Sequence, residues 1–122
     1  MLLVLAGLSG LLAVAMGAFG AHALRGALSP ESLALYQTGA LYHLVHAAAL
    51  FGAALLARDA AAGKLAIWAG YAFFAGTVVF SGSLYLLAIT GQKWLGAITP
   101  VGGTLFLAGW ALVALAGWRS IP

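Results

Sequence analysis

The side chains able to do chemistry in this chain of 122 residues are few. They are His22, His43 and His46, Tyr36, Tyr42 and Tyr85, Gln37, and the hydroxyls of Ser81, Ser83 and Thr99. An imidazole can ligate a metal or haem, serve as a base towards a serine, or hydrogen-bond between helices. His43 and His46 stand three apart and could share a metal, but a stable zinc site wants a third or fourth ligand. The chain has no cysteine, and its two acids, Glu31 and Asp59, lie outside the apolar stretches. For haem, Met16 is the one partner at comparable depth, and a methionine in an apolar helix is ordinarily packing. Nucleophilic catalysis needs an imidazole oriented by an acid, which neither Ser81 nor Ser83 is offered. The expectation is a non-enzymatic protein with no catalytic set, no metal and no cofactor.

The elements that hold these residues follow from the distribution of charge. The chain is 65% hydrophobic and 6% charged, so its solvent is a bilayer. Arg25, Glu31, Arg58, Asp59, Lys64, Lys93 and Arg119 divide it into charge-free stretches 1–24, 32–57, 65–92 and 94–118. Each exceeds the roughly 20 residues that a helix needs to cross about 30 Å of hydrocarbon. Barrel strands would alternate in polarity, and these stretches do not. The predicted fold is therefore all-α, a polytopic integral membrane protein with four transmembrane helices in one bundle and one domain over 1–122. The helices are expected at about 2–24, 31–57, 65–89 and 99–118. Ala21-His22-Ala23 has the form of a signal-peptide cleavage site, but no basic residue precedes the first apolar run and that run is too long for a leader. It is read as the first helix.

Local signals set the boundaries. Ser29-Pro30-Glu31 supplies a cap, a proline for the first helical position and an acid at the positive end of the dipole. Thr90-Gly91-Gln92-Lys93 ends the third helix. Pro100 either kinks a helix begun near Trp94 or opens one capped by Thr99, and the second reading is preferred, since 101–118 still spans about 27 Å. The basic residues lean the termini towards the cytoplasm. Seven charges so scattered offer no nucleic-acid surface. The surroundings expected are the lipid bilayer, with a homo-oligomer or a larger membrane complex as the protein partner.

At 100° per residue, Tyr36, Gly39, Tyr42, His43 and His46 share an arc of about 120° on the second helix, and Thr77, Ser81 and Tyr85 form a stripe on the third. The two stripes are expected to face each other. On the first helix Ser9, Ala13, Gly17 and Ala21 recur every fourth residue and invite close helix packing. Two functions fit this pattern. In one, the polar groups glue the bundle, and the protein is a structural or accessory component of the membrane. In the other, they line a polar cavity, around His22, Tyr42 and His43, for a small molecule or lipid.

The segments Gly17-Ala-Phe-Gly-Ala-His-Ala-Leu24, Tyr36-Gln-Thr-Gly-Ala-Leu-Tyr-His-Leu-Val-His46, Phe80-Ser-Gly-Ser-Leu-Tyr-Leu-Leu87 and Ile98-Thr-Pro-Val-Gly-Gly103, with Gly109-Trp110, occur in one order along nearly the whole chain. In this the chain resembles the YgdD/YwdK family of small bacterial membrane proteins, the domain of unknown function 423, which has a mitochondrial relative in animals. The resemblance implies a four-helix protein of the bacterial inner membrane without an established activity, cofactor or catalytic set.

Overall fold

The computed structural model describes residues 1–121. Four helices fill it: α1 (Leu2–Phe19, extended by a π-helical turn over Gly20–Leu24), α2 (Pro30–Leu56), α3 (Gly63–Thr90) and α4 (Leu95–Arg119). All four are long and apolar enough to cross a membrane. Their order in space is their order in sequence, because α1 packs on α2, α2 on α3 and α3 on α4. Among the described residues α1 and α4 do not meet, so the bundle is open between its two outer helices.

Small residues permit this packing where a membrane offers no hydrophobic drive between helices. A Cβ on Gly76 would sit 2.6 Å from the Phe106 ring, and one on Gly109 would sit 2.6 Å from Phe73. A Cβ on Gly102 would overlap the backbone of Phe80. These contacts bring α3 and α4 backbone to backbone. One apolar cluster runs from α1 through α2 and α3 to α4 and includes Leu2, Ala6, Leu50, Ala53, Phe73 and Phe106.

The four-residue stripe expected on α1 divides. Ser9 and Ala13 are buried against the bundle, whereas Gly17 and Ala21 face outwards. A helix turns 400° in four residues, so a spacing of four drifts about 40° per step, and the buried seam passes instead to Gly20 and Leu24.

The termini of the elements follow local chemistry. Ser29 accepts a hydrogen bond from the Ser32 amide at 3.2 Å, with Pro30 as the first helical residue. Gly91, at φ 70°, ends α3 in the left-handed conformation that a Cβ disfavours. At the other face, Asp59 Oδ1 accepts from the Ala61 and Ala62 amides, both at 2.8 Å, and the Ser120 hydroxyl donates to it at 3.2 Å. The loop between α2 and α3 is thereby tied to the end of α4. The amides of Ala62 and Ala61 hold this carboxylate below its ordinary pKa.

The preferred reading of the fourth helix is corrected. It begins at Leu95, with Trp94 at the cap, and Pro100 lies inside it. So close to the amino end, the ring removes a single helical hydrogen bond. Thr99, rather than capping, turns its hydroxyl to the Leu95 carbonyl at 3.3 Å and to Ser83 Oγ at 2.7 Å.

Candidate functional site

α2 and α3 do bring their polar stripes together. His43 is the middle residue of α2 and is buried. Its Nδ1 lies 3.1 Å from the Tyr85 hydroxyl on α3. The Tyr85 ring packs on Tyr36 with centroids 4.8 Å apart. Tyr36, fully buried, crosses to α1 and donates to the Met16 carbonyl at 2.7 Å. That bond gives Met16 a packing role, with its sulfur 3.9 Å from the same hydroxyl.

His46 sits one turn further along α2 and points instead towards α4. Its ring stacks on Phe106, with centroids 3.5 Å apart and planes inclined by 7°. Nδ1 lies 2.8 Å from the Tyr42 carbonyl, and Trp110 Nε1 lies 3.2 Å from Nε2. A carbonyl only accepts and an indole N–H only donates, so Nδ1 carries the proton and Nε2 receives one. Both nitrogens of a neutral imidazole are thus engaged. Tyr42 stays on the same side, half-exposed, against Phe80.

The other candidates scatter. Ser83 and Thr99 pair between α3 and α4. Ser81 is buried, and its hydroxyl has no hydrogen-bond partner among the described residues. His22 and Gln37 are exposed near the membrane boundary and join neither histidine cluster. The cavity expected around His22, Tyr42 and His43 is therefore not assembled: His22 lies apart on the π-helical turn, and Tyr42 and His43 open on different sides of α2.

A different hollow takes in His43. Between α1 and α3 a groove of about 290 Å³ is lined by Ser9, Leu12, His43, Phe74, Thr77, Val78, Gly82 and Tyr85. Its existence follows from the open packing, in which α1 and α3 touch only sparingly across α2. Ser9 was expected in a packing stripe and Thr77 in a polar one, and the structure turns both into this groove. Trp110 was also missed as a polar partner. An indole N–H within lipid needs an acceptor, and that was the signal available.

The sequence profile described as a protein of unknown function (DUF423) matches residues 16–103. The UPF0382 membrane protein YwdK of Bacillus subtilis is 44% identical over 114 residues, covering 93% of each chain. A UPF0382 membrane protein of Staphylococcus aureus is 41% identical over 120 residues, covering 96% of this chain and 94% of its own. The UPF0382 inner membrane protein YgdD of Escherichia coli is 41% identical over 121 residues, covering 97% of this chain and 89% of its own. No solved structure matches the chain. Four membrane-spanning helices and this similarity along nearly its whole length make the chain a multi-pass membrane protein of the DUF423 family.

Proposed function

We propose that this protein is a non-enzymatic accessory component of its membrane, built to pack against a second copy of itself or against a larger membrane complex. The observation that carries this reading is a face of α1 left empty. Gly7, Gly10 and Gly17 each have no atom within 4 Å of where a Cβ would stand. With Val14 they fall within about 80° of one helix face. Glycine weakens a helix by about 1 kcal/mol relative to alanine, and in lipid its return is close approach by another backbone. A shallow apolar groove of about 450 Å³ lies beside this face, between Gly7, Gly10 and Val14 on α1 and Leu44, Ala48 and Phe51 on α2, and runs along about two turns of α1.

The interior supports the same reading. Imidazoles and hydroxyls there bond chiefly to one another and to carbonyls, at about 0.6 kcal/mol per contact. Neither carboxylate, Glu31 in the first turn of α2 or Asp59 in the α2–α3 loop, bonds to a histidine among the described residues. The test is native mass spectrometry from mild detergent, comparing the parent protein with Gly10→Leu. A homo-oligomer or fixed-stoichiometry complex that Gly10→Leu dissolves, with unchanged thermal stability, supports the reading. A parent protein that flies as a lone monomer overturns it.

The groove between α1 and α3 favours a second reading, in which the chain also binds a small lipid-soluble molecule beside His43 and Tyr85.

A further inference from the structure

The α1–α3 groove differs from the other hollows of the surface in the state of its polar groups. The one around Tyr42, His46 and Trp110 is flanked by an imidazole whose nitrogens are both engaged. In the α1–α3 groove, Ser9 and Thr77 are each 7% exposed, and neither hydroxyl appears among the side-chain hydrogen bonds of the described residues, such as those between Ser83 and Thr99 or between His43 and Tyr85. The depth matters as much. His43 is the midpoint of α2 and Thr77 stands midway along α3, so the groove opens at the centre of the bilayer, where phospholipid headgroups do not reach.

No charged residue lines the groove, which excludes an ionic ligand at that depth. Two hydroxyls without partners, not sealed within the packing, ask for an acceptor oxygen, because the hydrocarbon around them supplies neither water nor any other acceptor. Leu12, Phe74, Val78 and the edge of Tyr85 ask for an apolar body. The volume, near the lower limit of about 300 Å³ for small-molecule sites, admits one compact group rather than a whole lipid.

From this geometry we infer that the groove is a binding site for a neutral, lipid-soluble carbonyl compound, its oxygen received by Ser9 and Thr77 and its apolar body by Leu12, Phe74 and Val78. The assignment rests on the ligand-binding reading and names its ligand class. The His43–Tyr85 pair forms the floor and holds α3 in place against α2.

Gly82 provides a clean means of blocking the site. It lines the groove, and a Cβ placed on it meets nothing within 4 Å, so Gly82→Leu can fill the space without disturbing a helix contact. The experiment is a titration of isotope-labelled protein in phospholipid nanodiscs, followed by nuclear magnetic resonance, with 2-undecanone as probe and undecane as control. Saturable shifts confined to Ser9, Thr77, Gly82 and their neighbours are expected with the ketone. Thr77→Val should weaken the ketone about tenfold, the loss of one hydrogen bond, and Gly82→Leu should abolish its binding with the rest of the spectrum unchanged. Equal binding of undecane would overturn the carbonyl assignment while leaving a hydrophobic ligand site. Absence of saturable shifts with both compounds would overturn the site and the ligand-binding reading together.

Discussion

The imidazole of His46 lies face to face with the ring of Phe106, 3.5 Å between centroids, and is held there from both sides by the Tyr42 carbonyl and the Trp110 indole. Phe106 in turn fills the space that Gly76 leaves on α3. One contact therefore joins three helices. Phe106→Ala should lower stability by about 3 kcal/mol, read by thermal unfolding in detergent. It should also shift the Trp110 emission, since the indole loses its fixed acceptor when His46 is freed to turn. An unchanged melting temperature would show that the α2–α4 stack bears no weight.

Two glycines should respond oppositely to the same substitution. Gly102→Ala drives a methyl group into the Phe80 backbone and should destabilise by about 1–3 kcal/mol as α3 and α4 part. Gly52→Ala meets nothing within 4 Å and should stabilise by about 0.5–1 kcal/mol through helix propensity alone. Thermal melts of the two variants beside the parent protein measure both. Similar shifts would contradict the tight α3–α4 crossing.

Asp59 sets a dependence on acid. Its folded pKa is depressed, chiefly by the Ala62 and Ala61 amides, so its contribution is complete above the ordinary carboxylate value of 3.8 and is lost as pH falls through the lower folded value. Thermal stability should decline over that acid interval, and Asp59→Ala should flatten the decline while lowering stability near neutrality. A parallel decline in parent and variant would place the acid sensitivity elsewhere.

The helices were legible because charge and hydropathy alone determine where a chain can enter lipid, and Ser29, Pro30 and Gly91 act through purely local chemistry. Partner choice was less so. His43 and Tyr85 could be matched from helical periodicity, but His46 turns to α4, and nothing near it in sequence names Phe106 or Trp110. Pro100 was misread because its local preference for opening a helix is overridden by the packing of Gly102 on Phe80 and the bonding of Thr99, both contributed by α3. The α1–α3 groove was invisible for the same reason: it is defined by two helices that fail to close on each other.

The open bundle also bears on how the protein is made. Each helix packs on its immediate neighbours in sequence, and none depends on a distant segment before it can settle. The first two spans can pair as soon as they leave the ribosome's insertion site, the third can join them, and the fourth can lock onto the third through Gly102 and Phe106. Low sequence separation between partners favours rapid assembly. Biosynthesis can thus proceed in the direction of translation, with the outer face of α1 free to meet its own partner before the chain is finished.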